Sequence, residues 1–255
     1  MNIQMRNIIW TAAAALLMGG IAASAVAQDF ATEGLVVMYT FDNDMVDGDK
    51  LIDAATDDGE SQDGIIHGDP ESIEGVIGEA FKFDGSPNVY VEIPAMGDWE
   101  AVSVEVWARE DAFAGIQGIV STWQWVSGKV HFKFQENQIQ VDKNGVGKIR
   151  YNAEAETWYH IVYTTDAPGN VLILYVNGNE EARDEDGDGA LENMNERRIA
   201  SEHDGRFLNG AIDEMRIYNR VLEADEVMTN FEAKSNRLSV DPRGKMASAW
   251  AELKR

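Results

Sequence analysis

Hydrophobic and polar residues alternate at period two along most of the chain, the spacing of strands that rest one face on a core. Residues 102–108 set Val102, Val104, Val106 and Ala108 against Ser103, Glu105 and Trp107, and residues 88–93 set Val89, Val91 and Ile93 against Tyr90 and Glu92. Further strands are predicted at 34–41, 64–68, 79–85, 118–125, 129–135, 138–142, 158–164 and 171–176, the last followed by an Asn177-Gly178 hairpin signal. Residues 42–63 and 180–198 lack an apolar period and read as polar loops. A helical period is confined to 222–231 and to a C-terminal segment carrying Met246, Ala249, Trp250 and Leu253. Many short strands with almost no helix predict an all-β fold, a two-sheet antiparallel jelly-roll sandwich.

The last predicted strand, residues 211–218, contains an anomaly. Strict alternation puts Ala211, Asp213, Met215 and Ile217 on one face and Ile212, Glu214, Arg216 and Tyr218 on the other. Asp213 is thus a carboxylate on an apolar face, and it needs hydrogen-bond donors or a metal as partner. Glu214 is expected to point the opposite way.

The ends of the chain change the domain picture. Residues 1–27 combine one basic residue (Arg6), an apolar run and an Ala25-Val26-Ala27 cleavage pattern, so they read as a secretory signal peptide and the protein as exported to the periplasm, the cell surface or the medium. An uncleaved membrane anchor is the alternative. Residues 28–233 make one domain, and 234–255 a tail with a short amphipathic helix. No stretch of the mature chain is apolar enough to span a membrane. Cysteine is absent, which excludes disulfides, thiol nucleophiles and thiolate metal sites. The net charge of −24 argues against nucleic acid as a partner and favours cations. Its carboxylates cluster at 42–63 and 180–196, although acidity also serves solubility alone.

Seven segments in order resemble the laminin G-like, concanavalin A-like jelly rolls of bacterial exported proteins. They are residues 34–42, 78–85, 90–94, 102–107, 158–163, 174–178 and 207–224. The resemblance implies two antiparallel sheets face to face, chain ends close together, and often a bound Ca²⁺. On it, Asp213 matches a last-strand carboxylate that joins oxygens from the start of the domain around the ion. Asp42 and carbonyls of residues 57–64 are the expected co-ligands. The alternative is that Asp213 accepts backbone N–H groups from the opening strand, without metal. Trp107 and Trp158 match core positions of the family.

Two other constellations can carry chemistry. Asp184, Asp186 and Asp188, with Gly189 at the sixth position, form the front half of an EF-hand-type calcium loop. Asn195 stands where the twelfth-position Glu belongs, so a weaker site or a solvated acidic loop are equal readings. Trp123 and Trp125 share a strand face, and with His131 and Tyr151 they form a candidate sugar platform; core packing is the competing reading. Catalysis has little support. The paired carboxylates of jelly-roll glycosidases are missing, Glu105 and Glu110 have the wrong spacing, and His67, His131, His160 and His203 show no metal-ligand spacing. The expected function is therefore non-catalytic recognition of a glycan or an extracellular protein, stabilised by calcium. A structural or adhesive surface protein is the alternative, and a divergent glycoside hydrolase a weaker one.

Overall fold

The computed structural model describes residues 30–55, 61–122, 124–143, 147–187, 189–202 and 205–236. The predicted leader and nearly all of the predicted tail, its helix included, lie outside the described residues. Two antiparallel sheets form a sandwich. The first runs Asn179–Asp184, Val171–Val176, Tyr159–Asp166, Ala101–Glu110, Asn209–Tyr218, Glu79–Asp84 and Glu71–Glu74, with Leu35–Tyr39 also paired to Asn209–Tyr218. The second runs Gly147–Asn152, Gln138–Lys143, Val130–Gln135, Ile116–Thr122, Arg197–Ile199, Tyr90–Ile93, Gly64–His67, Lys50–Leu51 and Val46–Asp47. Their inner faces bury one continuous core, from Val37, Tyr39 and Phe41 through Val102, Val104 and Val106 to Phe132, Val141 and Ile161. This is the predicted sandwich, held by the alternating apolar positions.

The single α-helix among the described residues, Ala224–Glu232, covers the outer face of the first sheet. Its start is set by a reciprocal capping box between Glu223 and Glu226. The sequence pattern missed the strands Glu71–Glu74, Gly147–Asn152 and Asn179–Asp184. The 180–198 loop also hides a core contribution: Glu192 and Arg197 are fully buried, Arg197 reaching Glu192 and donating to the Tyr163 hydroxyl at 2.7 Å. Trp107 and Trp158, expected in the core, are half-buried outside it. Trp107 stacks on Phe231 of the helix at 5.7 Å, and the Arg109 guanidinium lies over Trp158.

The closing strand, Asn209–Tyr218, departs from strict alternation. One edge pairs along Ala101–Glu110, but Asp213 opposes Trp107 while Arg216 opposes Glu105. Glu214 and Met215 thus face Val106 alone, a β-bulge, with Glu214 in the left-handed region at φ 50°. The extra residue shifts the phase. Ile212, Met215 and Ile217 enter the core, whereas Asp213 and Arg216 pair with residues of the opposite, outer face. Asp213 is therefore not on the face of Met215 and Ile217, and Glu214 does not point away from it.

Under the helix the bulge feeds a charged network. Arg216 donates to Glu105 at 2.7 Å and to Glu214 at 2.6 Å, and all three are buried. Asn230 of the helix donates to Glu105 and, at 3.1 Å, to the Tyr218 hydroxyl, while accepting from the Ala31 amide at 2.8 Å. Burial raises the pKa of Glu105, but Arg216, His160 and Asn230 outweigh it and hold the carboxyl down at about 2. Arg216→Ala leaves Glu105 and Glu214 buried without their cation. It should cost about 3–5 kcal/mol in urea unfolding, and a loss under about 1 kcal/mol would contradict this account of the network.

Candidate functional site

Two regions deserve comparison, one on the outside of each sheet. The first is the carboxylate centre at the bulge. Here the second edge of the closing strand changes partner, from Glu79–Asp84 beside Asn209–Ile212 to Leu35–Tyr39 beside Met215–Tyr218. The turn at 75–78 lies over this junction. Val76 and Ile77 donate their amides to Asp213 Oδ2 at 2.7 and 3.1 Å. The donors thus come from this turn and not from the opening strand. Asp42 Oδ1 accepts the Glu79 amide at 2.9 Å, and Asn236 bridges Asp42 Oδ2 and Glu214 Oε1 at 2.7 and 2.8 Å. Close approach explains the glycines: a Cβ on Gly78 would sit 2.2 Å from Asp42 Oδ1, at a φ of 70° that also favours glycine.

The centre is under-compensated. Asp213 Oδ1 is buried and has no hydrogen-bond partner among the described residues. Burial raises Asp213 to about 7 against the lowering effect of the Ile77 and Val76 amides. It raises Glu214 to about 8, with Arg216 opposing and the charges of Asp213 and Asp42 adding to the rise. A cation would suit these oxygens. Among the described residues, however, no group of three or more His, Asp or Glu side chains is arranged to hold a metal, so Asp213 and Asp42 would need other oxygens beside them. An open cavity of about 580 Å³ leads to Asp42 and Asn236.

The predicted EF-hand-type loop is described only in part. Asp184 ends a strand and spends its carboxylate on the Asp186 amide at 2.9 Å; Asp186 is exposed, and Asp188 lies outside the described residues.

The second region is the outer face of the second sheet. Trp125 is 47% exposed and stacks on His131 with centroids 3.6 Å apart and planes 12° from parallel. Lys133 Nζ lies 4.9 Å from the Trp125 ring. Beneath it, Lys133 pairs with Asp142 at 2.8 Å, and Glu202 approaches His131 Nδ1 at 3.4 Å and Arg206 at 2.7 Å. Burial raises the Glu202 pKa, but the His131 hydrogen bond, Lys133 and Arg206 bring it below the usual range. The loop carrying Trp125 is pinned: Gly128 accepts the Asn193 amide at 2.9 Å, and Lys129 Nζ donates to the Asn195 carbonyl at 2.6 Å. The chain neighbours of Trp125 line a cleft of about 440 Å³, formed by Gln124, Val126, Lys129, Asn193, Asn195 and Glu196 among others.

Of the predicted platform, then, Trp125 and His131 come together. Tyr151 does not join them: it opposes the core residue Ile139 and packs against the core near Tyr159, on the inner side of the sheet. Trp123 lies outside the described residues. The cleft residues Gln124, Asn193 and Asn195 were missed, because their approach is made by loops far apart in sequence.

A family model described as the concanavalin A-like lectin/glucanases superfamily matches residues 84–228. No curated protein matches the sequence. Among solved structures, the receptor-binding domain of botulinum neurotoxin type G superposes with a TM-score of 0.63 at 18% identity, covering 80% of this chain and 52% of that one. Domain 4 of AbnA, an extracellular GH43 arabinanase of Geobacillus stearothermophilus in complex with arabinotriose, superposes at 0.58 and 17% identity, covering 78% of this chain and 98% of that domain. Trypanosoma rangeli sialidase in complex with sialic acid gives 0.60 at 15% identity, over 79% of this chain and 33% of that one. The chain thus spans about half of the toxin domain and a third of the sialidase. At these identities the likeness is one of fold.

The raised carboxyls fix a direction for the pH response. Asp213 and Glu214 bind protons more tightly folded than unfolded, where carboxylates titrate near 4. Their contribution to stability is full below about pH 4 and is lost as pH rises through about 7 to 8. In chelator, the melting temperature should fall from pH 5 to pH 8, and an Asp213→Asn, Glu214→Gln variant should flatten that fall. An unchanged slope would assign the titration elsewhere, for example to Glu110, which burial lifts to about 8.

Proposed function

The chain belongs to the concanavalin A-like lectin/glucanases superfamily, and from that membership we propose that it is an exported, non-catalytic glycan-recognition domain whose binding face carries Trp125. The observation that supports this most is the exposure of Trp125 on a buried partner. A large indole is held by parallel contact with His131 at 3.6 Å and stays 47% exposed, and its chain neighbours Gln124 and Val126 line a cleft that also carries Asn193 and Asn195. Sugar rings offer apolar C–H faces and hydroxyl edges, and a rigid aromatic surface next to Asn and Gln complements both. The arabinotriose held by the AbnA domain is in keeping with a glycan ligand. The leader-like composition of residues 1–27 supports export. Glu110, although raised to about 8, is 1% exposed and hydrogen-bonded to Gln117, which argues against it as the acid of a hydrolytic reaction.

Calcium at the bulge completes the reading. Asp213 and Asp42 would hold the ion, which would give the buried Asp213 Oδ1 a partner and tie the closing strand to the segment after the opening one. Its role would be stability, since the centre lies on the other sheet from Trp125.

Two measurements check this. On a glycan array, Trp125→Ala should abolish hits while the melting temperature moves by less than a few degrees; retained binding would refute the platform. Calcium added after chelation should raise the melting temperature of the parent protein and not of Asp213→Ala. Identical melting of the parent with and without calcium would refute the ion.

A further inference from the structure

The charges of the chain are unevenly placed, and the unevenness falls on the Trp125 face. Residues 116–152 carry five Lys and Arg (Lys129, Lys133, Lys143, Lys148, Arg150) against two acids (Glu136, Asp142), in a chain with 21 basic and 45 acidic residues. Strand register gathers several of them. His131 pairs with Asp142 and Asp142 with Lys148, while Lys133 pairs with Gln140 and Gln140 with Arg150. These form two adjacent rows on the outer face, because the intervening Phe132, Val141 and Ile149 are in the core. Among the described residues, Asp142 and Glu202 beside these rows are buried and already engaged, Asp142 by Lys133 and Glu202 by Arg206 and His131, and the half-exposed Glu196 lies 3.7 Å from Lys129. What reaches solvent on the rows is positive: the Lys148 side chain is 59% exposed, 3.8 Å from Asp142, and Arg150 is exposed. Lys133 links the two features, lying 4.9 Å from the Trp125 ring and 2.8 Å from the same Asp142.

We propose that this face takes a polyanionic polysaccharide, one whose sugar units carry carboxylate or sulfate, with a ring on Trp125 and its acid groups on Lys148 and Arg150. The proposal rests on the glycan-binding reading above. The strongly acidic remainder repels polyanions at long range, but at 0.15 M salt that repulsion is screened beyond about 8 Å, so contact charges decide. Arg150 offers the planar fork that fits a carboxylate or sulfate, and Lys148 a point charge. An aromatic surface bounded by cations also discriminates against neutral glycans, whose hydroxyls gain little from an ammonium.

The test is affinity electrophoresis and titration of the protein with polygalacturonate, a sulfated galactan, neutral arabinan, neutral β-glucan and duplex DNA, at low and high salt. The expected result is binding to a polyanionic glycan that weakens with salt and by about tenfold in the Lys148→Glu, Arg150→Glu variant, with unchanged melting temperature. Polygalacturonate against sulfated galactan tells carboxylate from sulfate, and either supports the proposal. Tight binding to a neutral glycan, lost in Trp125→Ala but untouched by the charge reversals, overturns this inference and keeps the glycan reading. Binding to none of the glycans overturns both. Equal binding to DNA overturns the inference by showing mere charge attraction.

Discussion

The fold depends on one residue too many in its closing strand. Among the described residues, Asn209–Tyr218 is the one strand of the first sheet whose second edge is shared by two partners, and the bulge at Glu214 lies where they change. Without it, alternation would either carry Asp213 into the core together with Met215 and Ile217, or keep Ile212 there and turn Met215 and Ile217 outward. With it, the apolar residues on both sides of the junction reach the core, and the charged ones are left together outside. The consequence is costly: two carboxylates and a guanidinium buried side by side beneath a helix. The structure offsets this by spreading the charge over many donors, from Arg216, His160 and Asn230 to the amides of Val76 and Ile77.

That network also explains how distant segments are joined without disulfides. Phe30 lies over the Arg216 guanidinium at 4.3 Å, Ala31 exchanges hydrogen bonds with Asn230 and Tyr218, and Asn236 bridges Asp42 and Glu214. The start of the domain, its closing strand, the helix and the segment after it all meet at one centre. Each contact is polar and directional, so the arrangement fixes position more than it supplies driving force; the driving force is the shared core.

The sequence carried the sandwich plainly, because most strands keep one face on the core and their valines and phenylalanines recur at period two. It was less informative where charge and burial coincide. Residues 147–152 were not predicted as a strand because their alternation rests on only two apolar residues, Ile149 and Tyr151, and 180–198 read as loop although Glu192 and Arg197 are buried against each other. Asp213 drew notice as an odd carboxylate, but a bulge shifts phase without altering composition, so its true face and its company with Glu214 could not be read. Trp125 and His131 were placed together correctly, while Tyr151 was not, since a one-residue difference in register puts a side chain on the opposite face. The basic bias of 116–152 was a legible signal, obscured by the overall acidity.

The two centres occupy the outer faces of opposite sheets, with the whole core between them. This separation has a physical logic. A buried carboxylate cluster changes its protonation, or its cation, with solution conditions, and a binding face beside it would inherit every such change in field. Across a sandwich of packed side chains, only a rearrangement of the core would carry the effect, and a close-packed core resists small displacements. The Trp125 face instead draws its order from local sources: the Gly128 and Lys129 contacts that hold its loop, the His131 ring stacked with Trp125, and the paired Lys133 and Asp142 beneath. An indole held on such a base has little conformational freedom left to lose, the condition under which a small contact can give affinity.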